Sequence, residues 1–350
     1  MHPASAIGVG LAALLAAPAA GEDPSRPPLP VVATVPNLGS IAAEVGGGRA
    51  AVTTIASGVQ DAHFVDPKPS FIVTLRRARL LIVNGLDLEI GWVPPLTQGA
   101  RNPRVLPGGE GYLDVSAVMR VLEVPGGPVS RAQGDVHPYG NPHYMADPLN
   151  GELAAGAIAA ALSRESPQDA GLFESRRAAF VQRLHEALFG ADLVREVGGA
   201  KLARLARSGE LDPFLAASAG QAAPPLGGWM GRMRPLRGAR IVTYHRDYSY
   251  FAERFGLVVV DHVEPKPGIP PSARHRAELR GRLKDGGVRL IVTRPYVEHR
   301  STEELSRATG VPVATLPLEV GGHPEAVDYI SLFDVVTSAL ASSAAPARGP

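Results

Sequence analysis

Short β-branched segments alternate with helical segments along two separate stretches of the chain, and this alternation is the strongest constraint on the fold. The predicted strands are LPVVATV, AVTTIAS and RLLIVNG in the first half, and ARIVTYH, GLVVVDHV, VRLIVTR and VPVATLP in the second. Helix-like patterns separate and follow them. Strands that alternate with helices form parallel sheets covered by helices. The sequence therefore predicts two α/β lobes, over residues 30–170 and 239–342.

A helix-rich stretch, residues 171–238, connects the two predicted lobes. Its first part belongs to the run DAGLFESRRAAFVQRLHEALFGADLVREVGG, in which apolar residues recur at helical spacing. We expect one long helix over residues 172–197, which would join the lobes as a stiff connector. The segment AASAGQAAPPLGGWMGRMRPLRG is expected to be a loop, and the tail, residues 343–350, is expected to be disordered.

The first twenty residues are typical of an export signal. Residues 4–20 are almost wholly apolar and small, and the APA at residues 17–19 resembles a signal-peptidase site. The run is short for a membrane-spanning anchor. The chain has no cysteine, which excludes lipid attachment, disulfides, zinc–thiolate sites and cysteine nucleophiles. We therefore expect residues 1–20 to be a signal peptide and the mature protein to be soluble, in the periplasm or outside the cell.

The charge balance gives no indication of a nucleic-acid partner. Lys and Arg number 35 against 34 Asp and Glu, the formal net charge is +1, and no long basic run is present. The sequence also lacks a P-loop, a G-x-S-x-G elbow and an H-E-x-x-H motif. Any bound metal must be held by His, Asp or Glu.

Three histidines lie at the ends of predicted strands or in the loops after them: His63 in DAHFVDPKPS, His143 in GNPHYMADP and His245 in VTYHRDYSYF. Ligands of open α/β sheets bind beyond the carboxyl ends of the strands, so the three imidazoles could converge in a cleft between the lobes. A single such histidine is more often a structural residue, and the hypothesis depends on their shared context. Asp66 and Asp147 fit two roles equally, as acceptors for imidazole N–H groups or as caps of the next helices.

Five segments supply that context. DAHFVDPKPS, GNPHYMADP, VTYHRDYSYFAERFGL, VEPKPGIPPSARH and TGVPVATLPLEVGG occur in this order within residues 30–340. They resemble the signature segments of the solute-binding proteins of zinc and manganese ABC importers, the cluster A-I metal-binding family. The resemblance implies two α/β lobes joined by one long rigid helix, with a metal in the cleft held by His63, His143 and His245. It also implies a monomer that is not an enzyme and that delivers its metal to the membrane permease of an ABC importer.

The sequence leaves the identity of the fourth metal ligand open. The family has an Asp or Glu late in the second lobe, or a water, and Glu319 in LPLEVGG is the matching residue. Glu298 in RPYVEHR is an alternative, although a solvated charge at a helix start explains it better. His137, six residues before His143, fits either an alternative ligand or a partner of one. The long His-rich loop of the zinc importers is missing here.

Zinc is the predicted metal, with manganese as the alternative. Three neutral imidazoles with one carboxylate or water complete a tetrahedral Zn²⁺ shell, whereas Mn²⁺ prefers oxygen ligands. Some members of the family have Glu at the third position, so His245 favours zinc. Two other functions remain possible: a zinc hydrolase with a three-His site and an open water position, and a metal-binding adhesin or chaperone on the same fold.

Overall fold

The computed structural model describes residues 26–127, 137–218, 224–265, 269 and 271–343. The predicted signal peptide lies outside these residues, and so does the predicted tail except for Ser343, which is helical. Within the described residues, no helix is both long enough and apolar enough to cross a membrane.

The first lobe is built on a parallel sheet in the order β2–β1–β3–β4. Its strands are β1 (Leu29–Ala33), β2 (Ala50–Thr54), β3 (Leu80–Val83) and β4 (Tyr112–Asp114). Its helices are α1 (Pro36–Gly46), α2 (Pro69–Arg77), α3 (Val93–Ala100) and α4 (Asn150–Glu165). A proline in the first turn helps to start α1, α2 and α3. Its fixed φ suits the helix, and the first turn loses no hydrogen bond because its N–H groups have no acceptor within the helix. Every residue of β3 is buried, as expected for an inner strand of a parallel sheet covered by helices.

The connector consists of α5 (Ala170–Phe189), α6 (Ala191–Val197), α7 (Gly199–Ser208), α8 (Leu211–Ser218) and α9 (Gly228–Met233). The prediction of one helix over residues 172–197 is wrong at its C-terminal end, because α5 stops before Gly190, whose φ is 91°. A Cβ at Gly190 would lie 2.9 Å from the Cα of Gly227, so this close approach also requires glycine. The expected loop before the second lobe contains α9, which that prediction missed. The 20 residues of α5 still span roughly 30 Å between the lobes.

The second lobe repeats the topology of the first, with a parallel sheet in the order β6–β5–β7–β8. Its strands are β5 (Arg240–Thr243), β6 (Val258–His262), β7 (Val288–Thr293) and β8 (Val313–Thr315). Its helices are α10 (Ser249–Phe255), α11 (Ala273–Asp285), α12 (Arg300–Thr309) and α13 (Tyr329–Ser343). The prediction of two parallel α/β lobes is confirmed.

One apolar core runs through both lobes and the connector. It includes Val31 of β1, Phe180 of α5, Ile241 of β5 and Phe333 of α13, all buried. Separating the lobes would expose part of this core, at about 25 cal/mol for each Å² of apolar surface. The shared core therefore opposes a wide opening of the cleft and keeps the loops at the sheet edges close together.

Candidate metal centre

His63, His143 and His245 come together between the two lobes. One nitrogen of each ring lies within 4.8 Å of the corresponding nitrogens of the other two. The ring centroid of His63 is 5.2 Å from that of His143 and 6.0 Å from that of His245. The centroids of His143 and His245 are 5.5 Å apart. All three side chains are buried. The convergence expected from their strand-end positions is present, while their role as metal ligands remains a prediction.

The topology explains why the three rings meet. His63 lies in the loop after β2, His143 precedes α4, and His245 follows β5 directly. The neighbours β5 and β7 are the strands between which the order of the second sheet reverses, the place where open α/β sheets bind ligands. Arg294 follows β7 at the same edge, so it lies beside the histidines.

Asp61 orients the imidazole of His63. The Nδ1–H of His63 donates to Oδ1 of Asp61 at 2.6 Å, and the backbone N–H of His63 donates to the same oxygen at 3.0 Å. Burial alone would raise the pKa of Asp61, but its contacts with His63 and Arg294 hold that pKa below its usual range. An ionised carboxylate only accepts hydrogen bonds, so Nδ1 of His63 carries a proton, and in the neutral imidazole Nε2 is then the nitrogen with a lone pair.

His143 is held by a loop that is tied to both lobes. Its backbone N–H donates to Oδ1 of Asn141 at 2.9 Å, and the amide of Asn84 donates to the carbonyl of Pro142 at 3.0 Å. The amide of Asn141 also donates to the carbonyl of Arg246, next to His245, at 2.7 Å. These contacts link the backbone of one candidate ligand to that of another across the cleft.

Two imidazole nitrogens of the cluster are buried without a hydrogen-bond partner among the described residues. They are Nε2 of His143 and Nδ1 of His245. A buried polar atom that lacks a hydrogen-bond partner costs about 1–3 kcal/mol of stability. A donor or a cation that contacted these two nitrogens would remove that cost. Neutral imidazole nitrogen is a ligand for divalent transition metals, and a cation at the centre of the cluster would satisfy both atoms.

The surroundings of His143 and His245 favour the neutral form of these two imidazoles. Burial, followed by the charges of His63, His245 and Arg294, lowers the pKa of His143 well below 6.5. Burial and then the charge of Arg294 lower the pKa of His245 in the same direction. Metal binding requires deprotonated imidazoles, so the site is prepared for a cation at neutral pH.

Arg294 bridges the two lobes behind the histidines. Its Nε lies 2.9 Å from Oδ2 of Asp247 in the second lobe, as an ion pair without the alignment of a hydrogen bond. One of its terminal nitrogens lies 3.7 Å from Oδ2 of Asp61 in the first lobe. Burial raises the pKa of Asp247 to about 6, although Arg294 opposes this shift. Arg294 therefore connects the carboxylate that orients His63 to a carboxylate two residues after His245.

The two candidate carboxylate ligands lie outside the cluster of three histidines. Glu319 is buried and accepts from the backbone N–H of Asn37 at 2.9 Å, and burial raises its pKa to about 8. Glu298 is exposed and accepts from the backbone N–H of Ser301 at 3.2 Å in the first turn of α12, as a helix cap does. His137 is closer to the cluster, with its Nε2 3.0 Å from Nε2 of His63.

Of the two roles that the sequence allowed for Asp66 and Asp147, the contact of Asp147 fits the helix cap better than an acceptor for an imidazole. Asp66 is exposed, and Asp147 forms an ion pair with Arg254 at 2.7 Å and accepts from the backbone N–H of Leu149 at 3.0 Å. The carboxylate on an imidazole belongs to Asp61 instead. The signal for it was its place two residues before His63, whereas nothing local in the sequence indicated Arg294.

A comparison with protein-family models decides the family. Residues 31–188 and 230–343 match the model described as ZnuA, zinc-uptake complex component A, periplasmic. The chain belongs to the ZnuA family. The match covers both lobes and includes the three clustered histidines, so the sequence-based resemblance is confirmed.

Individual ZnuA relatives are distant. The chain is 21% identical to the high-affinity zinc uptake system protein ZnuA of Brucella abortus, over 45% of this chain and 35% of that protein, so it spans about a third of that relative's length. It is 23% identical to the protein of the same name from Yersinia pestis, over 88% of this chain and 89% of that one. It is 27% identical to the manganese ABC transporter substrate-binding lipoprotein scaA of Streptococcus gordonii, over 50% of this chain and 54% of that protein.

A solved structure supports the fold. The crystal structure of a zinc-bound ZnuA with residues 138–173 deleted superposes with a TM-score of 0.66 at 20% identity. The superposition covers 92% of this chain and all of that one. At this identity the likeness concerns the architecture of two lobes, which is the architecture described above for this ZnuA family member.

Proposed function

We propose that this protein captures a divalent transition metal, Zn²⁺ ahead of Mn²⁺, outside the cytoplasm and delivers it to the membrane permease of an ABC importer. The observation that carries the proposal is the cluster of His63, His143 and His245, buried between the lobes of a ZnuA family member. The protein acts as a monomeric binding protein rather than as an enzyme. The metal is its cargo.

The ligand chemistry favours zinc. Three neutral imidazoles form a nitrogen-rich site, and affinity for such sites is lower for Mn²⁺ than for Zn²⁺ in the divalent series. Zinc accepts four ligands in a tetrahedron with Zn–N distances of about 2.0–2.1 Å. The sequence-based prediction of Glu319 as a fourth ligand remains a prediction, and its hydrogen bond to Asn37 supports a structural role at least as well.

The surroundings of the cluster favour binding over hydrolysis. A zinc hydrolase needs a general base within hydrogen-bond reach of the metal-bound water. The nearest carboxylate with a defined contact, Asp61, already accepts from His63, and Glu298 caps a helix at the surface. Both carboxylates are therefore already engaged, which suits reversible capture better than hydrolysis.

A growth experiment tests the import function. Deletion of the gene should slow growth in zinc-depleted medium, and the unmodified gene should restore it. A gene that carries His63→Ala, His143→Ala and His245→Ala should not restore growth, while added zinc should rescue every strain. Full restoration by the triple variant, with equal protein levels, would contradict the proposal.

A melting experiment tests the choice of metal. A ligand that binds only the folded state stabilises it by about 4 kcal/mol at a thousandfold excess over Kd. Zinc should therefore raise the Tm of the purified mature protein clearly at pH 7.5, and manganese at the same concentration should raise it much less. An equal shift with manganese would reverse the assignment.

A further inference from the structure

His137 faces the candidate ligand His63 through a nitrogen–nitrogen contact. The two Nε2 atoms are 3.0 Å apart, and the ring centroids are separated by 5.1 Å. Both residues are 8% exposed, as buried as His143. His137 therefore belongs to the wall of the metal centre rather than to the protein surface.

The contact between the two rings has a defined polarity. Asp61 holds a proton of His63 on Nδ1, so in the neutral imidazole Nε2 of His63 presents a lone pair to His137. In the metal-free protein, Nε2 of His137 must then carry a hydrogen and donate it to that lone pair, since two facing lone pairs would repel each other. The lone pair that His63 needs for a metal is thus occupied by His137.

Metal binding at His63 must break this hydrogen bond. One lone pair cannot accept a hydrogen bond and bind a cation at the same time. If His137 moves its proton from Nε2 to Nδ1 through solvent, it stays neutral and presents a second lone pair at the same place. Two nitrogen ligands of a tetrahedral zinc ion lie roughly 3.3 Å apart, close to the separation of the two Nε2 atoms here.

We propose that His137 supplies the fourth ligand of the metal centre through Nε2, next to Nε2 of His63, so that zinc is held by four imidazoles. The inference rests on the proposed function of this site. His137 lies outside the group of three residues whose ligand nitrogens are within 4.8 Å of one another, so its ring must turn toward them to complete the shell. No net charge enters with it, and the exchanged proton is returned to the same ring.

The backbone around His137 forms a defined turn. The N–H of Gly140 donates to the carbonyl of His137 at 3.2 Å, and the N–H of Asn141 donates to the carbonyl of Leu122 at 2.9 Å. The φ of Gly140 is 105°, and a Cβ there would lie 2.3 Å from the side chain of Val121. One constrained turn therefore carries both His137 and His143.

Four imidazoles also give the site a metal preference. A shell with Glu319 would add an oxygen ligand and a negative charge, which suits manganese better. A shell with His137 contains nitrogen only. His137 would then determine specificity as well as affinity.

The direct test reads the protonation of each ring. The full mature protein is labelled with ¹⁵N-histidine, loaded with one equivalent of zinc and examined by long-range ¹H–¹⁵N correlation spectra, with the His137→Gln variant used for assignment. We expect His137 to show a metal-bound Nε2 and a protonated Nδ1 in the zinc complex, and a protonated Nε2 without zinc. A protonated Nε2 in both states would overturn the proposal.

Affinity measurements separate this proposal from the function it rests on. We expect His137→Gln to retain one zinc per chain with at least about tenfold weaker binding, and to shift the visible absorption bands of the Co²⁺-loaded protein. His323→Gln, an exposed histidine, should change neither. Unchanged affinity and spectrum in His137→Gln, with Glu319→Gln altering both, would overturn the proposal in favour of Glu319. Absence of zinc binding by the unmodified protein would overturn the proposed function itself.

Discussion

Asp61 lies against His63 with its Oδ1 2.6 Å from Nδ1, and this contact orients the ring of the candidate ligand His63. It fixes the proton on the far side of the ring, aims Nε2 at the cleft and connects His63 to Arg294 and so to the second lobe. A carboxylate that orients an imidazole ligand also raises its basicity and typically changes metal affinity by 10- to 100-fold.

Replacement of Asp61 should therefore weaken metal binding without removing a ligand. We expect Asp61→Ala to lower zinc affinity by about 10- to 100-fold in a competition titration with a chromogenic chelator. Asp66→Ala, five residues away on an exposed position, is the matched control and should leave affinity unchanged. Equal affinities for the two variants would show that His63 does not depend on Asp61.

The ion pair of Arg294 and Asp247 should be visible as a coupling energy. Removal of one partner of a buried pair costs about 3–5 kcal/mol because the other charge is left buried alone. We expect Arg294→Met to destabilise the metal-free protein by about this amount in urea unfolding. The double variant Arg294→Met with Asp247→Leu should lose less than the sum of the single variants by at least about 1 kcal/mol.

The exposed pair of Arg300 and Glu304 is the control for that cycle. Its nitrogen–oxygen distance is 3.0 Å, but the two side chains are 83% and 47% exposed, so its coupling should stay below about 1 kcal/mol. Strict additivity of the Arg294 and Asp247 variants would contradict the bridging role of Arg294.

Glu319 should give the metal-free protein a distinctive pH dependence. Burial raises its pKa from 4.5 to about 8, so the folded state holds a proton that the unfolded state loses above pH 4.5. The stabilisation is fully present below pH 4.5 and is lost as the pH rises towards 8. Glu319→Gln cannot ionise and keeps an oxygen for the N–H of Asn37, so its stability should exceed that of the unmodified protein by a few kcal/mol at pH 8.

The free energies of unfolding of Glu319→Gln and of the unmodified protein should become equal near pH 4.5, as measured by urea unfolding without metal. Glu196→Gln, on the exposed face of α6, should follow the unmodified protein at every pH. A constant difference between Glu319→Gln and the unmodified protein from pH 4.5 to 8 would show that Glu319 is not protonated in the folded state.

The parts of the fold that depend on local pattern could be predicted from the sequence. The β-branched runs around Val31, Ile241 and Ile291 lie in the predicted strands, because a strand buried on both faces needs continuous apolar residues. The strand β4 has three residues, too few to produce a pattern. The break at Gly190 was missed although a glycine is a local signal for a helix end. The contact that makes glycine necessary there, with Gly227, lies 37 residues further along the chain.

The residues of the candidate site also divide into those that local sequence pattern reveals and those that depend on contacts between distant segments. His63, His143 and His245 could be found because each has a recognisable loop beside a strand, and parallel topology brings such loops to one edge. Arg294 and His137 could not be assigned, because their positions depend on side-chain contacts between segments that are distant in sequence. For Asp66 and Asp147, the sequence left two roles open, and the structure favours the helix cap for Asp147.

The central claim is that His63, His143 and His245 hold the metal, and a calorimetric zinc titration of the mature protein at pH 7.5 tests it most directly. We expect one zinc per chain, with affinity at least about tenfold weaker in each of His63→Ala, His143→Ala and His245→Ala, and unchanged in His323→Ala. Circular dichroism should show that all variants are folded. Wild-type affinity and stoichiometry in all three single variants would contradict the assignment.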